Sequence, residues 1–211
     1  MKTIKFLTLL AIFIGFSSCS NDDDDNVILE VESETVLNLY APQEGGIDQM
    51  GNPIPVSGPF TKFDFSSGTT TTSETEWDIA FRGTSIIVNG GVSYGATDEP
   101  ERNGDAAAYF ANGTFADVNM VNTSNLEQDS VNGYVLADWY TYTGPPNHLI
   151  LPTAGKVVVI RTRDGKYAKM EILSYYKDAP EEISAEAAAN DARYYTFDFA
   201  YQPNPGETVF E

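Results

Sequence analysis

The spacing of apolar and polar positions predicts a chain of short strands. Trp77, Ile79 and Phe81 alternate with Asp78, Ala80 and Arg82, and a period of two places the three large apolar residues on one face of a half-buried strand. A second run, Ser85 to Asn89, follows the Gly83 turn and stops at Gly90-Gly91. The clearest pairing joins Lys156 to Thr162 with Tyr167 to Tyr176 through Arg163-Asp164-Gly165-Lys166. An Asp-Gly step supplies the positive backbone dihedrals that a tight hairpin needs. On the second arm of this hairpin Ala168, Met170 and Ile172 share one face, and Tyr167, Lys169 and Glu171 share the other. Tyr134 to Tyr142, which contains Trp139, and the aromatic run Tyr194 to Tyr201 read as two further strands.

One stretch departs from this pattern. Ser184 to Ala192 is predicted to be helical, because alanine has the best helix propensity and Ser184 can serve as the N-cap. Thr69 to Ser73 and Tyr94 to Asp105 have no periodicity and read as exposed loops. Gly144-Pro145-Pro146-Asn147-His148 breaks the chain after Tyr142, so the single histidine falls in a loop. The expected fold class is all-β and mainly antiparallel, with one short helix near the C-terminus.

The N-terminus is of a different kind. Lys2 and Lys5 precede the apolar segment Phe6 to Phe16, followed by Ser17-Ser18-Cys19 and then by Asp22 to Asp25. This is the order of a secretory signal, with the cysteine where a lipoprotein is cleaved and acylated. The apolar segment is too short to cross a bilayer core of about 30 Å. Four adjacent aspartates lack the alternation and glycine turn of a calcium loop, so they read as a solvated spacer. The expected organisation is a signal peptide over 1–18, an acidic flexible spacer over 19–34, and a single β domain over 35–211. Cys19 is the expected lipidation site. The segment resembles the export signals of Gram-negative surface lipoproteins, which implies an outer-membrane, outward-facing protein held only by its lipid.

Composition narrows the chemistry. With 31 acidic against 12 basic residues and a formal charge of −19, the chain repels phosphate backbones, and nucleic acid is not an expected partner. A lone cysteine allows neither an internal disulfide nor a CxxC zinc site. Ser-His-Asp or Cys-His catalysis would need His148 as its base, yet Pro145 to Leu149 brings no nucleophile elbow. Carboxylate pairs say nothing in a chain this acidic, so an enzyme is not expected.

The combination of the lipoprotein start, Glu76-Trp77-Asp78-Ile79-Ala80-Phe81-Arg82, the Trp139 segment, the Val157 to Lys169 hairpin with its Asp164-Gly165-Lys166-Tyr167 turn, and the aromatic last strand resembles the HmuY family of haem-binding surface lipoproteins. The resemblance implies a β fold whose loops clasp one haem for iron acquisition, and transfer of that haem to a TonB-dependent outer-membrane receptor. It also implies two axial side chains. A bis-histidine site is impossible in a monomer with one histidine, and Met50, Met120 and Met170 follow the signal. Met120 lies before the Trp139 segment and His148 after it, and they are the expected ligand pair. Haem iron accepts both imidazole and thioether. Tyr140 and Tyr142 are expected to stack on the porphyrin, and Arg82, Arg102 and Lys156 are candidate partners for its propionates. The competing reading is a surface lipoprotein of the same fold that holds a sugar, a peptide or a protein.

Overall fold

The computed structural model describes residues 28–48 and 50–211. The signal segment, Cys19 and the aspartate run lie outside the described residues.

The chain begins with β1 (Glu32–Tyr40), and a separate hairpin follows, β2 (Glu44–Ile47) with β3 (Pro53–Ser57). Next come β4 (Thr61–Asp64), β5 (Thr69–Thr71), β6 (Ile79–Arg82) and β7 (Ser85–Val88), which form an antiparallel sheet in the order β5-β4-β6-β7. Further along are β8 (Ala107–Asn112), the small hairpin β9 (Tyr140–Tyr142) and β10 (Ile150–Pro152), and the long hairpin β11 (Lys156–Arg161) and β12 (Tyr167–Tyr176). A short helix, α1 (Ala185–Asn190), leads into β13 (Ala192–Gln202). The second large sheet runs β1-β13-β12-β11-β8, and all its pairs are antiparallel. Among the described residues no helix is long and apolar enough to cross a membrane. The architecture is the expected one, mainly antiparallel β with one short helix.

The two sheets face each other across the main core. Phe63, Ile79, Phe81, Ile86 and Val88 from one meet Val158, Ile160, Met170, Phe197 and Phe199 from the other. Phe63 lies edge-on to Phe197 at 5.4 Å and to Phe199 at 5.7 Å between ring centroids, an arrangement that pairs the positive ring edge with the negative ring face. Alternation sends Val157, Val159, Tyr167 and Ala200 to the outer face of the five-stranded sheet, where Val118, Val121 and Phe210 cover them. Lys169 is on this side too. Its Nζ donates to the carbonyls of Phe115 at 2.6 Å and Val118 at 2.9 Å, so the covering segment is tied to the sheet.

Six expectations are corrected. Trp77 does not share a face with Ile79 and Phe81: the strand starts only at Ile79, so the alternation does not extend back to Trp77, which packs with Phe60, Ala80 and Ile87 on the outer face. For the same reason β6 is buried on both faces rather than half-buried. Tyr134 to Tyr142 is a strand only over Tyr140–Tyr142, because Trp139 is anchored in the core by an Nε1 bond to the Thr84 carbonyl at 2.8 Å and the residues before it turn. Thr69–Thr71, read as loop, pairs with β4 as an edge strand, where β-branched threonines fit well. The loop Tyr94 to Asp105 has no regular structure, yet it is not simply exposed. The Arg102 side chain is shielded from solvent and pairs with Glu99 at 2.5 Å and Asp129 at 3.0 Å. In addition, β1 begins at Glu32, within the segment read as spacer.

Candidate functional site

The site is built where the β9/β10 hairpin meets α1. Trp139 fixes one end, packing against Tyr140, Tyr175 and Tyr195 at 4.9, 5.6 and 5.1 Å. The other end is fixed by Leu149 and Ile150, which pack on the core, and by the Ile150 N–H, which donates to Tyr176 Oη at 2.9 Å. Register pairs Tyr142 with Ile150. Between them the chain reverses through the cis Pro145-Pro146 bond and a left-handed His148 (φ 51°). Within the reversal, the His148 N–H donates to the Gly144 carbonyl at 2.9 Å and the Leu149 N–H to Thr143 Oγ1 at 2.9 Å.

The opposite wall is α1. Ser184 Oγ accepts from the Ala187 N–H at 3.1 Å, the N-cap read from the sequence. The helix lays Ala185, Ala188 and Ala189 beside Ile183, facing Pro146, Asn147, His148 and Leu149 across a groove of about 320 Å³. One wall is apolar and the other carries the polar side chains of Asn147 and His148, a mixed lining of the kind that suits a small-molecule ligand. Sequence reasoning found this helix but missed its role as a groove wall; the run of small side chains was the available signal.

The expected site residues are not gathered in one place. Tyr142 and His148 meet, with Tyr142 Oη hydrogen-bonded to His148 Nδ1. Tyr140 instead packs against Trp139, and neither tyrosine lines the groove. Met120 is 63% exposed and pairs with Val209 in the segment covering the outer face of the five-stranded sheet. His148 follows the hairpin whose Leu149 and Ile150 join the core on the inner face. The expected Met120/His148 pair is therefore not assembled, because the sheet lies between the two segments. Met170 fills the core and is fully buried, and Met50 is 85% exposed in the β2–β3 turn. Among the described residues no cluster of three His, Cys, Asp or Glu is arranged to hold a metal ion.

The three candidate propionate partners are occupied elsewhere. Arg82 is buried, donates to the carbonyls of Gly58 and Thr97, and stacks over Phe60. Arg102 is held by Glu99 and Asp129. Lys156 donates to the Asp138 carbonyl at 2.7 Å. No Lys or Arg lines the groove.

The fold is a two-sheet, mainly antiparallel β domain with a groove between the β9/β10 hairpin and α1. The sequence profile of the HmuY protein family matches residues 59–188, and the chain belongs to that family, which is one of binding and carrier proteins. Among solved structures, the chain is similar to the apo HmuY analogue of Tannerella forsythia, at 14% identity and a TM-score of 0.48, with 84% of this chain and 99% of that one covered. It is similar to a protein of Bacteroides fragilis NCTC 9343 described as a lipoprotein, at 12% identity and a TM-score of 0.47, covering 83% and 91%. A Bacteroides vulgatus ATCC 8482 protein described as an HmuY-like heme binding protein shares 13% identity with a TM-score of 0.41, covering 83% and 93%. No curated protein matches the chain.

Proposed function

We propose that the protein is a lipid-anchored, surface-exposed outer-membrane lipoprotein that binds haem in the His148 groove and passes it to a TonB-dependent receptor. The observation that carries this reading is the chain's one imidazole lining a groove walled by the alanine face of α1, in a member of the HmuY family. The residues present fit the group in part. The alanine face of α1 and Leu149 offer a flat apolar wall for a porphyrin, and His148 offers one axial nitrogen. Haem bound there would supply an iron that accepts that nitrogen. No Lys or Arg in the groove would pair with the propionates. The domain organisation proposed with this reading keeps 1–18 as signal, followed by a spacer that ends before β1 at Glu32 and by the β domain from there to 211.

Haemin titration tests the proposal. The wild-type protein is expected to give a new Soret band, His148→Ala to weaken it or change its position and shape, and Met120→Ala to leave it unchanged. No spectral change with the wild-type protein would sink the haem reading and favour the non-haem binding module. A Met120→Ala spectrum that differs from wild type would restore Met120 as a ligand and require the covering segment to move. For the anchor, Cys19→Ala is expected to abolish lipidation, since the chain has no other thiol. Detergent partition or intact mass that matches wild type would contradict it.

A further inference from the structure

A neutral imidazole carries its proton on one ring nitrogen and a lone pair on the other, and the partner of the first decides which is free to bind. His148 Nδ1 faces Tyr142 Oη, and among the described residues Tyr142 Oη has no other hydrogen-bond partner. The two rings are not stacked on each other: their centroids are 5.8 Å apart and the planes are tilted by 33°. The contact is set from both sides, by the Tyr142 and Ile150 register and by the His148 backbone bond to Gly144. A ligand arriving through the groove therefore finds Nδ1 already engaged. Nε2 is the ring nitrogen left over.

The geometry points to Tyr142 as a positioning residue: its phenolic oxygen accepts the Nδ1 proton, holds the ring orientation, and leaves the Nε2 lone pair for the iron. This inference rests on the haem reading of the groove. It gives Tyr142 a role other than the porphyrin stacking expected from its place on a strand. Partners of this kind commonly change metal affinity by about 10 to 100-fold when removed.

The chain's single histidine makes the test direct. Protein labelled with ¹⁵N-histidine, held well above the usual imidazole value of about 6.5, is examined by long-range ¹H–¹⁵N correlation without haem. Wild type is expected to show Nδ1 protonated, and Tyr142→Phe to shift the population toward Nε2–H. Haemin affinity of Tyr142→Phe is expected to fall about 10-fold or more. Nε2–H in wild type, or the same tautomer and the same haemin affinity in both proteins, would overturn the inference. If wild type binds no haemin while its Nδ1–H tautomer depends on Tyr142, the haem reading fails and the positioning role stands. If both proteins bind haemin equally and share one tautomer, the haem reading stands and the positioning role fails. Tyr142 is 52% exposed, so the phenylalanine variant removes a hydroxyl without opening a cavity.

Discussion

Trp77→Ala is expected to destabilise the protein by about 3 to 5 kcal/mol, the range for deleting a large buried aromatic side chain. Trp77 is fully buried against Phe60, Ala80 and Ile87, with Tyr134 packed on the same cluster. Its Nε1 donates to the Glu74 carbonyl at 3.2 Å, and its own carbonyl accepts from Asn89 Nδ2 at 2.8 Å. Truncation removes the transfer free energy of the indole and leaves a cavity that two strands and a loop cannot collapse to fill. Urea denaturation should show a lower midpoint with an unchanged slope. A near-neutral result would mean that Trp77 faces solvent or a ligand instead.

Asp78→Ala should cost about 2 to 5 kcal/mol under mildly acidic conditions, through loss of a buried acceptor. The Asp78 carboxylate accepts from the backbone N–H of Phe65 and of Arg163, both at 2.9 Å, and from Arg163 Nη1 at 3.3 Å. It joins the four-stranded sheet to the turn of the long hairpin. Burial, opposed by the hydrogen bonds of Arg163 and Phe65, pushes Asp78 from 3.8 up to about 6. The folded protein thus keeps a proton that the unfolded chain releases, and this contribution to stability is lost as pH rises from about 4 to about 6. The cost of Asp78→Ala should therefore shrink by up to about 3 kcal/mol between pH 4 and pH 7.

Asp64 responds with the opposite sign. Burial works against its charge, but the hydrogen bonds of Arg163, Ser67 and Ser66 outweigh that and hold it below the usual value. Its contribution is present above that usual value and lost as pH falls through its lowered one. Denaturation of wild type and Asp78→Ala across this range measures the Asp78 part together with its coupling to Asp64 through the shared Arg163 Nη1. A cost that is flat or grows with pH would show that Asp78 is ionised in the fold throughout.

Local signals were legible where neighbours in sequence decide the outcome. Asp164-Gly165 and the alternation on either side specify the β11/β12 hairpin, with Gly165 at φ 84°. Ser184 caps α1 through a bond three residues away. The face of Trp77 was not legible, since it depends on where the strand begins and not on period. Polarity marked Tyr94 to Asp105 as loop, but the shielding of the Arg102 side chain comes from Asp129, distant in sequence. The placement of Met120 depends on the C-terminal tail: the Val121 N–H donates to the Thr208 carbonyl at 2.8 Å and the Phe210 N–H to the Asn119 carbonyl at 2.9 Å. No local pattern announces that pairing. Conversely, Tyr142 and His148 lie six residues apart, and hairpin register together with the His148 backbone bond to Gly144 brings them together.

The central claim is that His148 binds haem iron, and the single histidine allows a test without mutation. Electron–nuclear double resonance on the ferric haem complex of ¹⁵N-histidine-labelled protein should show a ¹⁵N coupling from one axial imidazole. A complex that forms with a defined spectrum but shows only the ¹⁴N couplings of the porphyrin, with no ¹⁵N coupling, would contradict it.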